Sequence, residues 1–210
     1  MSNEFVAKGV KLAKLPSDYG STGFKMFKGS ILNNVEIAYE TWGELSINND
    51  NAILLFTGLS PSSHAASSEN NKSTGWWEYM IGPNKPIDTN KYFVICVNSL
   101  GSCFGSTSPA SINKATGESY GLTFPELSIE DIAKSGHSVL QTLGIDHAHT
   151  VMGPSMGGMT ALAYALLFPN SLSNLIVISA AARALPFTIS IRSLQRELIS
   201  NFNTIMSAEI

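Results

Sequence analysis

The sequence predicts an α/β fold in which a mostly parallel sheet is flanked by helices. Three observations carry this. Continuous apolar runs, the mark of strands buried on both faces, recur at Ala52-Ile53-Leu54-Leu55-Phe56, Tyr92 to Val97 and Leu175-Ile176-Val177-Ile178. Helical patterns fall between the later runs, as a parallel sheet requires. A G-x-S-x-G sequence, Gly153-Pro154-Ser155-Met156-Gly157, stands where a short apolar strand, Thr150 to Met152, meets a helix.

Taken in order, residues 1–22 show little pattern and are read as a loose lead-in. Phe24 to Phe27 and Val35 to Thr41 alternate apolar and polar residues around Leu32-Asn33-Asn34, which predicts a hairpin with an Asn-rich turn. The first buried run follows a polar turn at Asn48 to Asn51 and ends in Thr57-Gly58-Leu59-Ser60. Between the first two runs, Ser60 to Ile81 reads either as a crossover whose Trp76 and Trp77 fold down as an apolar plug or as a wall of a pocket. Asn98 to Gly121 has almost no periodicity, and a loop of that length in a compact domain points to function or to an overlooked element. Ser128 and Asp131 have the spacing of a capping box and open an amphipathic helix to Leu143, with Gly144 as its stop. The helix from Met156 to Phe168 is stopped by Pro169. Residues 1–184 are therefore read as an incomplete core. Residues 185–210, with Ile189, Ile191, Leu194, Leu198 and Ile199 at helical spacing, are read as the start of a helical lid, and Ser207 to Ile210 add no further element.

Ser155 is the chemical centre of this reading. A sharp strand-to-helix turn lifts its hydroxyl clear of the sheet, and side chains at 153 or 157 would strike neighbouring backbone, hence two glycines. Gly158 lets the helix pack close. The helix start turns free N–H groups and a positive dipole end toward the serine, which suits an oxygen that becomes negative during reaction. A serine nucleophile also needs a histidine base and an acid. The four histidines, His64, His137, His147 and His149, all precede Ser155. His137 is expected on the exposed side of its helix, His147 and His149 lie at the wrong end of the strand before the elbow, and His64 is expected only to line the pocket.

The chain has 210 residues, 44% hydrophobic and 14% charged, with a formal net charge of -3, enough for one sizeable core and free of the basic patch that nucleic acid demands. No stretch approaches 18 apolar residues and the first residues lack an apolar secretion core, so a cytoplasmic protein without a membrane partner is expected. Cys96 and Cys103 form no metal-binding or disulfide pattern, and two free thiols and no metal are expected.

Several stretches together, Tyr39-Glu40-Thr41-Trp42-Gly43, Gly75-Trp76-Trp77, Gly82-Pro83, Pro86-Ile87-Asp88-Thr89, Asn98 to Ser106, Ser111-Ile112-Asn113, Phe124-Pro125 and Ser155-Met156-Gly157-Gly158-Met159, resemble the homoserine O-acetyltransferase family, acyltransferases on the α/β-hydrolase fold. Leu59-Ser60-Pro61-Ser62-Ser63-His64-Ala65 and Leu185-Pro186-Phe187 before Arg192 resemble most the branch that succinylates or acetylates serine or homoserine. The resemblance implies no resident cofactor, acyl-CoA (acetyl-CoA or succinyl-CoA) as co-substrate, Ser155 as the residue that carries the acyl group, and a homodimer for the full-length protein. It also implies oxyanion donors at the backbone N–H of Met156 and Leu59, each typically worth ~3 kcal/mol of barrier. Leu59, Ser60, Pro61 and Ser62 then shape the acceptor pocket, against a plain strand-to-loop junction. Arg192 pairs with the distal carboxylate of a succinyl group, against a solvated lid arginine.

The family's last strands, acid and histidine have no counterpart here, so the sequence is expected to be a fragment or truncated frame with little turnover and an aggregation-prone sheet edge. An esterase of the same fold and a noncatalytic binding protein are the competing readings.

Overall fold

The computed structural model describes residues 6–16 and 23–208, with side chains to residue 201. The lead-in expectation over residues 1–5 and 17–22, and the last two residues, lie outside that range. The chain divides into two compact units, Met1–Ala180 and Ala181–Ile210.

The first unit is built on a six-stranded sheet. Its strands are β1 (Lys11–Lys14), β4 (Glu36–Trp42), β5 (Ala52–Phe56), β8 (Phe93–Val97), β9 (Ala148–Pro154) and β10 (Leu172–Ile178), in the spatial order β1-β4-β8-β5-β9-β10. From β8 through β5 and β9 to β10 all neighbours are parallel, while β4 and β1 are antiparallel additions. Ala52 to Phe56 is buried at every position, as its unbroken apolar run requires. Alternate side chains serve two cores. Leu54, Phe56, Ile95, Val97 and Val151 pack under helices α1 (Ile129–Thr142) and α2 (Met156–Leu167), and Ile53, Leu55, Val94, Cys96 and Met152 face Trp42, Ala65, Ile81 and Ile87.

Helix α1 begins at the expected capping box. Ser128 accepts from the Asp131 backbone N–H while Asp131 accepts from the Ser128 backbone N–H at 2.9 Å. Asp131 is fully buried, and its other oxygen accepts the Phe27 N–H at 2.6 Å, so one carboxylate joins the helix start to a turn 104 residues earlier in the chain. Gly144 ends the helix region at φ 72°.

Four expectations are corrected. Part of the lead-in is a strand: Lys11 to Lys14 pairs with Glu36 to Tyr39, a partnership between distant residues that a four-residue run cannot announce. The hairpin is shorter than expected, β2 (Phe24–Lys25) against β3 (Ile31–Leu32). The Val35 to Thr41 segment leaves it and enters the main sheet, where both of its edges find partners. Leu175-Ile176-Val177-Ile178 falls in β10, but among the described residues this strand has a neighbour on one side only, and Leu175 and Ile176 are 38% and 44% exposed. The fourth is His137, which is half-buried rather than on an exposed helix face. Its ring stacks on Phe168 at 3.9 Å and meets the Tyr164 hydroxyl at 3.0 Å.

The long segment from Asn98 to Gly121 remains a loop, pinned by an isolated bridge between Ile112 and Ser119 and by Ser106, whose hydroxyl donates to Asn98 O and accepts from Ala38 N. A two-strand ribbon, β6 (Ile81–Gly82) with β7 (Ile87–Asp88), closes the crossover that carries the two tryptophans. The second unit is helix α3 (Pro186–Ala208), exposed at every described position from Phe187 to Asn201 except half-buried Thr188. Among the described residues no helix is long and apolar enough to cross a membrane.

Candidate active site

The carboxyl ends of β5, β8 and β9 lie side by side, and the chain leaves all three in the same direction, the customary place for a site in a parallel sheet. Ser155 stands where β9 gives way to α2. Its backbone is at φ 55° and ψ -121°, a conformation that L residues rarely adopt, and the side chain is exposed. Its N–H donates to Ile178 O at 2.9 Å, and its carbonyl receives the Gly158 N–H at 3.0 Å, so both peptide groups are held. Ser155 occupies the N-cap position yet makes no capping bond. A serine there ordinarily spends its hydroxyl on the helix N–H groups; here the hydroxyl stays available and so does the positive end of α2.

The flanking glycines are required by contact. A Cβ on Gly153 would come within 2.9 Å of Gly157 Cα, and one on Gly157 would run into Phe56 and lie 2.7 Å from the Thr57 carbonyl oxygen. A Cβ on Gly158 would lie 2.7 Å from the Ala180 methyl. The same contacts fix the end of β5 against the elbow, with the Gly58 Cβ position 3.8 Å from Pro154 O. Leu59 comes next, 74% exposed, followed by exposed Ser60 and half-buried Pro61 and Ser62. The structure therefore gathers Ser155, Met156 and the Leu59–Ser62 segment at one end of the sheet. Arg192 belongs to the second unit and is exposed on α3.

A buried polar cluster lies behind the Leu59–Ser62 segment. Glu40 is 3% exposed. One of its oxygens accepts the Ser63 hydroxyl at 3.0 Å and the other faces His64 Nδ1 at 2.9 Å. Asn98 accepts the Ser63 N–H at 2.6 Å and donates to the Ser63 hydroxyl oxygen and to Phe104 O. His64 Nε2 faces Ser73 O at 2.9 Å. Each ring nitrogen faces an acceptor, Glu40 at Nδ1 and the Ser73 carbonyl at Nε2, an arrangement that favours the charged imidazole. Burial works against that charge, but the Glu40 carboxylate, the Ser73 carbonyl and the more distant Glu78 outweigh it and raise the imidazole above its ordinary pKa. Glu40 in turn, after burial itself, helps hold the Cys96 thiol protonated across the β4–β8 pair. Trp76 donates its indole N–H to Ser62 O at 2.8 Å and stacks on Trp77 at 5.2 Å, so the tryptophans act as the apolar plug and brace the site loop together.

None of the four histidines is engaged by Ser155. His64 and His137 are held as described, His147 bonds Asn170 O and the Ser173 hydroxyl, and His149 bonds the Thr150 hydroxyl. Nothing local in the sequence joins Glu40, Ser63, His64, Trp76 and Asn98 into one device. The sequence held little signal, because alternation puts Glu40 on the same face as Glu36, where a carboxylate is expected to meet solvent.

Residues 51–204 match the family model described as alpha/beta hydrolase fold. The chain belongs to the alpha/beta hydrolase fold family. This alpha/beta hydrolase chain is 63% identical over 175 residues to a serine O-succinyltransferase of Litchfieldella anticariensis, a match covering 83% of the chain and 48% of that protein. Among solved structures it is similar to homoserine O-acetyltransferase from Bacillus anthracis, at 34% identity, TM-score 0.74 and coverage of 84% of this chain and 48% of that one. It is also similar to esterase E22, at 33% identity, TM-score 0.77 and coverage of 86% and 50%. The chain spans about half the length of the curated relatives it matches.

Proposed function

We propose that the protein is an O-acyltransferase that moves a succinyl or acetyl group from acyl-CoA to the hydroxyl of serine or homoserine. The observation that carries the reading is the exposed, uncapped Ser155 hydroxyl at a positive-φ turn on the dipole end of α2. The names of the similar proteins, serine O-succinyltransferase and homoserine O-acetyltransferase, support the transferred group and the acceptor class.

In the first step Ser155 Oγ attacks the thioester carbonyl, its proton passes to a base, and the C–S bond breaks to release CoA as the thiol. The acceptor hydroxyl then attacks the Ser155 ester, loses its proton to the same base, and leaves as the new ester while Ser155 regains a proton. The N–H groups of Met156 and Leu59 stabilise the negative oxygen of both tetrahedral intermediates. Leu59, Ser60, Pro61 and Ser62 border the acceptor, and Arg192 pairs with the far carboxylate of a succinyl donor. Acyl-CoA is a co-substrate, and neither step as written calls on a resident cofactor. The base and its acid partner belong to the part of the full-length protein beyond these residues, so the 210 residues alone turn over little. The working enzyme is cytoplasmic and dimeric in this reading.

The test uses the full-length protein with succinyl-CoA or acetyl-CoA, with and without L-serine or L-homoserine. Expected are added mass on the peptide containing Ser155, its loss in Ser155→Ala, and CoA release that rises with the amino acid. In the same assay Arg192→Asn lowers use of succinyl-CoA and spares acetyl-CoA. An unmodified Ser155 peptide would sink the proposal. The one reading that competes on a specific observation is an esterase, favoured by the similarity to esterase E22. CoA release at one rate with or without the amino acid would establish it instead.

A further inference from the structure

We infer that Glu40 is a positioning residue for acyl transfer, acting through Ser63 and His64 to hold the Leu59 N–H in place beside the Ser155 elbow. The inference rests on the reading of Ser155 as the acylated residue. An oxyanion donor works by being fixed before charge develops, since a mobile N–H would have to be reoriented during the reaction. Leu59 is the exposed member of a short span anchored at both ends. On one side Gly58 and the end of β5 lie against Pro154 and Gly157. On the other, Trp76 holds Ser62 O, Asn98 holds the Ser63 N–H, and Glu40 takes the Ser63 hydroxyl and the His64 ring on its two oxygens. Only Leu59, Ser60 and Pro61 lie between the anchors, and the proline ring fixes one backbone angle of the last.

The charge arrangement fits the same purpose. A bare carboxylate buried behind an oxyanion site would oppose the negative transition state. Here both Glu40 oxygens are covered, one by the Ser63 hydroxyl and the other by the His64 ring, whose pKa that pairing raises. Glu78, the other carboxylate acting on His64, is itself paired with Lys85. The device grips two successive residues with one side chain drawn from a strand nineteen positions before Leu59.

The experiment is pre-steady-state acylation of the full-length protein by p-nitrophenyl acetate and by acetyl-CoA, with each rate constant normalised to titrated sites and a melting temperature recorded for each variant. Glu40→Gln and Ser63→Ala are expected to slow acylation per titrated site by roughly tenfold or more, short of the ~10²–10³ lost with a whole oxyanion donor, with little change in half-saturating ester. A purely structural role would lower the melting temperature and the number of titratable sites and leave the rate constant per site at the wild-type value. That result overturns the inference while leaving Ser155 as the acylated residue. If Glu40→Gln fails to fold, Ser63→Ala, which deletes a single hydroxyl, decides alone. A wild-type protein acylated by neither donor overturns the reading of Ser155 and this inference with it.

Discussion

At Ser155 the backbone holds a costly conformation, and the residues around it explain how it is kept. Its N–H and carbonyl are both bonded, and the absence of side chains at 153 and 157 lets the turn close on the end of β5. Gly157→Ala should therefore be more harmful than an ordinary small-to-large change. The new methyl meets backbone atoms of Phe56 and Thr57, which cannot rotate away, and overpacking of this kind typically costs about 1–3 kcal/mol. Urea unfolding of the full-length variant is expected to show a midpoint lowered in proportion to that loss, together with loss of Ser155 acylation. An unchanged midpoint would mean that β5 does not press on the elbow. This motif was legible in the sequence because its requirements are local: a strand, a turn too tight for side chains, and a helix.

Elements divide by how far apart their causes lie. β5, β8, α1 and α2 were readable because an unbroken apolar run or a cap sits within the element itself. The capping box gives a direct check: Ser128→Ala should cost about 1 kcal/mol, the usual worth of such a cap. Asp131→Ala should cost more, because it also strands the Phe27 and Ser128 N–H groups, and bonds to a charged acceptor are worth about 1.5–3 kcal/mol. Equal losses in the two variants, by urea or thermal unfolding, would remove the link between α1 and the hairpin. The fate of Val35 to Thr41 was not readable in the same way. Its alternation fits a hairpin as well as a sheet interior, and what decides between them is the arrival of β1 on one edge and β8 on the other. The exposure of β10 is equally non-local, since an apolar run reports what could be buried and says nothing of the neighbour needed to bury it.

Over the whole molecule, the crossover from Ser60 to Glu78 is tied down by two groups that titrate in opposite senses. Glu78 is held near a pKa of about 2, below its ordinary 4.5, first by the Ser67 and Gly75 backbone N–H groups and then by the Ser67 hydroxyl and Lys85. A depressed carboxyl contributes stability that is full above its unfolded value and is lost as pH falls from 4.5 through about 2. His64, raised despite its burial, contributes stability that is full below its ordinary 6.5 and is lost as pH climbs through the raised value. Melting temperature should accordingly be highest in mildly acidic solution. The difference between wild type and Glu78→Gln should shrink below pH 4.5, and that between wild type and His64→Gln should shrink at alkaline pH. A difference that ignores pH in either variant would contradict the assigned pairing. The Glu40–His64 pair also sets the boundary of what sequence could reveal, because its two members are 24 residues apart and are brought together by the pairing of β4, β8 and β5. Their position in the chain has one more consequence. Glu40, Ser63, His64, Trp76 and Asn98 all leave the ribosome ahead of Ser155, and at ~5–20 residues per second the pause is long compared with the closing of a loop. The cradle can set first, and the nucleophile is then delivered into a receptacle already made.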